Sequence, residues 1–155
     1  MGYVKKSAVD KLHDPKSLPK VERIKPNQEK LWGKGTMLIP APLEVDEIMR
    51  RVPAGKVITI NWIREKLAEK HKTTTACPIC SGIFASIAAQ AAEEERACGR
   101  KDITPWWRTL KGAGELNPKY PGGEKNQKKL LESEGLKIVS KGKKFVVLDY
   151  EKHLA

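Results

Sequence analysis

The segment running from Pro78 to Ala97 constrains the fold most. A proline is tolerated in the first turn of a helix, and the spacing that follows predicts a helix from about Pro78 or Ile79 to Ala97. Ile83, Phe84, Ile87, Ala88 and Ala91 form one expected apolar stripe, and Glu93, Glu94 and Glu95 begin a polar end. The helix does not stand alone. Val45, Ile48, Met49 and Val52 recur at i, i+3, i+4, i+7 and predict an earlier amphipathic helix, ended by Pro53 and Gly55. Lys56 to Ile58 suit a short extended piece. Thr59 or Asn61 then caps a second helix that turns Ile63 and Leu67 inward and runs to about His71. The threonines at 73–75 break it. Two helices joined by a short polar turn make a helix-turn-helix candidate.

Beyond these helices, Glu124 to Ser133 predicts a last helix with Leu130 and Leu131 buried and Gly135 as its stop. Leu136 to Val139 and Lys144 to Leu148 are β-type runs around Ser140-Lys141-Gly142-Lys143, which predicts a hairpin with a basic tip. A hairpin beside a helix-turn-helix is the outline of a winged helix, and Lys141, Lys143 and Lys144 are placed to touch phosphates. The expected fold is therefore mainly α: a winged-helix-like helix-turn-helix domain over residues 41–155, with a small C-terminal β-hairpin. Residues 1–40 are punctuated by Pro15, Pro19, Pro26 and Pro40 and carry scattered lysines. They read as an extended basic arm docked through Trp32, Met37, Leu38 and Ile39, or else as a disordered tail.

The chain has 155 residues and a net charge of +11, which favours a polyanionic partner. The excess is uneven. Residues 1–40 hold nine Lys/Arg against four Asp/Glu, residues 41–100 nine against eight, and residues 101–155 twelve against seven. Charge alone does not separate DNA from RNA or an anionic membrane. No apolar run approaches the roughly 20 residues that span a bilayer, and the N-terminus lacks the apolar stretch of a secretory signal. A cytoplasmic monomer without cofactor or metal is expected. The three cysteines are expected to be reduced thiols. Cys77-Pro78-Ile79-Cys80 at a helix start has four readings: small apolar packing, a redox pair, part of a zinc site with Cys98 and His71, or a relocated alkyl acceptor.

Three further segments carry the chemistry: Pro105-Trp106-Trp107-Arg108, Tyr120-Pro121-Gly122-Gly123 and Leu130-Leu131-Glu132-Ser133-Glu134-Gly135. Their order and spacing resemble the DNA-binding domain of the alkylguanine-DNA alkyltransferases, over roughly residues 42–139. There a Pro-Cys-His-Arg segment supplies the alkyl-accepting thiol, and Tyr-x-Gly-Gly and Leu-Leu-x-x-Glu-Gly complete the pocket. Trp106 stands at the thiol position and Trp107 at the histidine position, so the chain looks most similar to the alkyltransferase-like proteins, which bind alkylated guanine without taking the alkyl group. An indole is neither nucleophile nor base at neutral pH.

The resemblance implies no catalytic residue, and a lesion pocket of Trp106, Trp107, Arg108, Tyr120, Gly122, Gly123 and Glu134, with Trp107 donating its indole N–H to Glu134. The other reading of the two tryptophans is core packing. The resemblance also implies minor-groove contact by the helix at residues 78–97, with Ser81 and Gly82 near the DNA backbone. The chain departs from the family at three positions. Ile60 replaces a tyrosine that pushes on a phosphate, Gly82 an arginine that takes a flipped base's place, and Cys98 an asparagine. Arg64, Arg96 or Arg100 would have to supply such a finger. The implied partner is double-stranded DNA, with alkylated guanine as the implied lesion and a repair protein as a second partner. Two rivals remain: an active alkyltransferase with a relocated cysteine, and a basic winged-helix adaptor for RNA or protein.

Overall fold

A computed structural model describes residues 7–15 and 17–155. The elements in chain order are α1 (Ala8–His13), β1 (Lys20–Arg23), α2 (Glu29–Trp32), β2 (Thr36–Ile39), α3 (Pro42–Arg50), β3 (Ile58–Thr59), α4 (Ile60–His71), β4 (Thr75–Ala76), α5 (Pro78–Ala97), β5 (Thr109–Leu110), α6 (Gly123–Ser133), β6 (Ile138–Lys141) and β7 (Lys144–Val147). The architecture is mainly α with small sheets. At its centre α4 and α5 form the helix-turn-helix pair.

The capping chemistry matches the residues. Thr59 Oγ1 accepts the amide of Trp62 at 3.2 Å and starts α4, and Lys72 in the left-handed region ends it. The turn is more than a break, because Thr75 and Ala76 form β4, which pairs in parallel with β2. α3 begins at Pro42, and the Glu44 carboxylate accepts the amide of Ala41 at 3.1 Å. Glu44 also accepts from Lys70 Nζ at 3.0 Å and sits 2.6 Å from His71 Nε2, so one carboxylate ties the start of α3 to the end of α4. The hairpin turns tightly, with Lys141 opposite Lys144 and Gly142 at φ +64°.

Packing is organised around α5. Phe84, Ala85, Ala88, Ala89, Ala91 and Ala92 are buried, and the small alanine side chains let α1 and α3 approach closely. The inward stripe is not quite the expected one. Ile83 is 52% exposed, and Ser81 is 0% exposed and faces the core instead. Residues 81, 84, 85, 88 and 92 share the inner face at helical spacing, which rotates position 83 outward. A second cluster of Val57, Leu110, Leu116, Leu131, Leu136 and Val147 joins α6 to the hairpin, and Trp107 packs against both clusters.

Within the stretch 1–40, residues 1–6 and 16 lie outside the described residues. The remainder carries regular structure. β1 pairs antiparallel with β2, where Met37 and Leu38 are buried, while Ile39 and Trp32 are half-buried. α1 buries Ala8 and Leu12, and its first amides, of Ala8 and Val9, donate to the two oxygens of Glu94 on α5 at 2.8 and 3.1 Å. A carboxylate at a helix N-terminus satisfies open donors and meets the positive end of the helix dipole. Among the described residues no helix is long and apolar enough to cross a membrane. Glu94→Ala should therefore lower stability by about 1–2 kcal/mol and speed amide exchange at Ala8 and Val9, measured by chemical denaturation and hydrogen exchange.

Candidate nucleic-acid interface

The segment after α5 folds as a 3-10 turn, Trp106–Arg108, and its three side chains go to different places. Trp107 donates its indole N–H to Glu134 Oε2 at 3.1 Å, the contact expected from the sequence. Arg108 clasps the same carboxylate, with Nε donating at 3.0 and 3.1 Å to the two oxygens and Nη2 to Oε2 at 2.5 Å. Its Nη1 donates to the carbonyl of Val52 at 2.6 Å, and the amide of Gly55 reaches Glu134 Oε1 at 3.4 Å. Burial alone would raise the Glu134 pKa. The hydrogen bonds from Arg108, Trp107 and Gly55, with the guanidinium charge, outweigh it and hold the carboxyl below its ordinary range. Arg108 is thus committed to holding the loop after α3.

Trp106 is 0% exposed and meets Trp107 and Tyr120 edge-on, with ring centroids 5.7 and 5.4 Å apart. Its indole N–H is buried and has no hydrogen-bond partner in the structure. Tyr120 is almost as buried, and desolvation pushes its phenol pKa upward, so the ring is neutral. Trp106 and Tyr120 are in contact and leave no opening between them. Behind Tyr120, Trp106 works as a backing wall. The loop bearing Tyr120 is held by Gln127, fully buried on α6. Its Oε1 accepts the amide of Asn117 at 2.8 Å, and its Nε2 donates to the carbonyls of Trp107 and Thr109 at 3.1 and 3.4 Å. Gly122 follows in the left-handed region at φ +78°, and a Cβ there would come within 2.6 Å of Asn126 Cβ. Gly123 begins α6, also at positive φ.

The opening lies on the other side of Tyr120. A cavity of about 780 Å³ runs between the exposed face of α5 and the loop 117–120. Ile60, Ile79, Ile83, Leu110 and Tyr120 supply apolar wall; Lys11, Lys111, Lys119 and Asn117 supply polar groups. Gly82 lines it as well, and a Cβ at Gly82 would meet nothing within 4 Å. Ile60 and Gly82, two positions that depart from the resembled pattern, thus face this space. Trp106, Trp107, Arg108 and Glu134 do not line it; they brace the loop that does. Ser81 cannot reach a phosphate, since its hydroxyl is buried on the inner face of α5. Lys141, Lys143 and Lys144 are exposed on the hairpin, and Lys144 pairs with Glu115 at 3.2 Å.

Sequence reasoning passed over Lys11, Lys111, Lys119 and Asn117, which no motif marks, and Gln127. Gln127 was detectable, because it sits four residues before Leu131 on the inward face of α6. The three arginines considered as fingers have partners of their own. Arg64 donates to the carbonyl of Ala76 and the hydroxyl of Thr75, Arg96 pairs with Glu93 at 3.0 Å, and Arg100 lies 3.7 Å from Glu95.

The cysteines do not converge. Cys77 caps α5, with its sulfur accepting the Cys80 amide at 3.4 Å, and desolvation together with Cys77 pushes the Cys80 thiol up to about 11. That is opposite to the lowered value of an activated thiol. Cys98 is exposed at the far end of α5, about 30 Å away at ~1.5 Å per residue, and His71 is engaged with Glu44. Among the described residues no cluster of three or more His, Cys, Asp or Glu is placed to hold a metal.

No family model matches the chain, and no curated protein matches its sequence. Two solved structures match the chain. One is Schizosaccharomyces pombe Atl1 in complex with damaged DNA containing O6-carboxymethylguanine, with a TM-score of 0.50 and 20% identity, covering 74% of this chain and 93% of that one. The other is S. pombe ATL in complex with DNA, with a TM-score of 0.48 and 21% identity over the same shares. The likeness to Atl1 is one of fold: a mainly α, helix-turn-helix domain.

The Glu134 clasp makes a stability prediction. Glu134→Gln leaves Arg108 without its counter-charge and should cost about 3 kcal/mol in urea denaturation at neutral pH. Because the folded pKa lies below the unfolded value near ~4.3, the wild-type contribution is present above that value and disappears as pH falls through the folded one. The variant should lose less stability than wild type across that acid window.

Proposed function

We propose that the chain is a DNA-binding protein of the alkyltransferase-like kind, which lays the open face of α5 against duplex DNA and holds an alkylated guanine without transferring the alkyl group. The observation that carries this reading is the cavity beside α5, which joins an apolar wall ending in Tyr120 to a rim of three lysines. That combination suits a nucleobase bound next to its phosphates. Lys141 and Lys143 on the hairpin extend the basic surface, so we propose the hairpin as a wing against the phosphate backbone and residues 1–40 as an arm that adds Lys11 to the site. The net charge of +11 agrees with a polyanionic partner.

Two features support binding without transfer. Trp106 and Trp107 occupy the positions where the resemblance would place thiol and base, and neither side chain has that chemistry. Cys77, Cys80 and Cys98 are not among the residues lining the cavity. The match of fold with Atl1 in complex with damaged DNA, at 20% identity, is consistent with this reading.

Fluorescence anisotropy with duplexes with and without O6-alkylguanine tests it. Affinity should fall with salt at a log–log slope of about −0.9 for each phosphate neutralised, and the alkylated duplex should bind more tightly at every salt concentration. Intact-mass measurement of the recovered protein should show no added alkyl group. Equal affinity for the two duplexes would reduce the function to general DNA association, and a mass gain would restore the enzyme reading.

A further inference from the structure

Two thiols meet at the start of α5, and neither is among the residues lining the cavity. Helix starts are capped best by the side-chain oxygens of Ser, Thr, Asp or Asn, so capping alone does not call for sulfur at position 77. Cys77 Sγ accepts the amide of Cys80 at 3.4 Å, and the Cys80 thiol itself hydrogen-bonds to Cys77. By helix geometry, α-carbons three residues apart lie about 5 Å from each other, inside the about 4.4–6.8 Å that disulfides accept, so the pair can close by side-chain rotation. Both thiols are half-buried and keep some access to solvent.

Their surroundings differ. Beside Cys77 lie the N-terminus of a 20-residue helix and the guanidinium of Arg64, which is fixed by the carbonyl of Ala76 at 3.0 Å and the hydroxyl of Thr75 at 3.2 Å and is in electrostatic contact with Cys77. Positive surroundings of this kind suit the attacking sulfur of a thiol pair. Cys80 instead packs against the main core and feels the carboxylate of Glu22 on β1. Burial, with the adjoining Cys77, pushes its thiol up to about 11, so Cys80 holds its proton at neutral pH, as suits a resolving sulfur.

We infer that Cys77 and Cys80 form a redox site, separate from the Tyr120 cavity, that closes reversibly to a disulfide by exchange with low-molecular-weight disulfides. The inference does not depend on DNA binding. Cys77 Sγ, as thiolate, attacks one sulfur of the small disulfide RSSR and expels the first RS⁻, which takes up the proton given by Cys77 and leaves as RSH. Cys80 then gives up its proton and attacks Cys77 Sγ in the mixed disulfide, and the second RS⁻ leaves with that proton as RSH. The protein pair loses two electrons and two protons, and RSSR gains both. Pro78 and Ile79, held inside the ring so closed, border the cavity.

The test uses the full chain carrying Cys98→Ser, which removes the exposed thiol at the far end of α5. Samples are equilibrated without oxygen in graded mixtures of reduced and oxidised glutathione, quenched with acid, alkylated under denaturing conditions and weighed intact. The chain should pass from two alkylated thiols to none as the oxidised form rises, peptide mapping should join Cys77 to Cys80, and excess dithiothreitol should restore both thiols. Cys80→Ser in the same background should stop at a glutathione adduct on Cys77. Cys77→Ser keeps an oxygen cap and should form its adduct on Cys80 far more slowly; circular dichroism checks that each variant is folded. Two free thiols persisting to the oxidising end of the series would overturn the inference, as would glutathione adducts that never resolve into the internal disulfide. Adduct formation on Cys80 as fast as on Cys77 would overturn the division into attacking and resolving sulfur.

Discussion

Glu134, half-buried at the end of α6, has its carboxylate stabilised in the ionised form by donors from Arg108, Trp107 and the amide of Gly55. Through this one group the end of α6, the 3-10 turn after α5 and the loop after α3 are held together, with the carbonyl of Val52 as the second anchor for Arg108. Trp107 lies at the seam of the two hydrophobic clusters, so the same contact joins the halves of the core. Trp106 is pinned behind it and supports Tyr120 edge-on. The wall of the cavity is thus set by residues that never touch the cavity.

The second organising element is α5. Its inner face is built of small residues, which brings α1 and α3 close, and Glu94 at its distal half closes the N-terminus of α1. Its outer face is left without a covering element. Up to Ala92 that face is uncharged, and under the proposed function it meets DNA with charge supplied from elsewhere. Lys11 from α1, with Lys111 and Lys119 from the segments that follow, supplies it.

Much of this was legible in the sequence because local signals and tertiary needs agreed. The Thr59 cap, Pro42 and Pro78 at helix starts, Gly142 in the hairpin and Gly135 after α6 each reflect a backbone requirement that few other residues meet. The Trp107–Glu134 contact followed from pairing a donor with a retained carboxylate. Elsewhere the sequence was ambiguous for physical reasons. Hydrophobicity marks Ile83 as inward and Ser81 as outward, yet the small alanines on either side of that stripe let the helix rotate and reverse the two. The cavity is built from residues scattered between 11 and 120, which no periodicity links. A pocket between Trp106 and Tyr120 was a natural expectation from their adjacency in motif order, but two large rings with no polar partner between them bury more apolar area by touching. The short helix α1 gives almost no signal of its own, since six residues are too few to form without the carboxylate and packing that α5 provides.

Under the proposed function, DNA meets the open face of α5 at the Tyr120 cavity, with the remaining lysines in an auxiliary role. Titration of the isotopically labelled protein with a short duplex, followed by amide chemical shifts, tests it most directly. The largest shifts should fall at Ile79 to Ser86 and at Asn117 to Tyr120, with smaller ones at the hairpin tip. Shifts confined to Lys141, Lys143 and the lysines of the first 40 residues, with α5 unmoved, would contradict it.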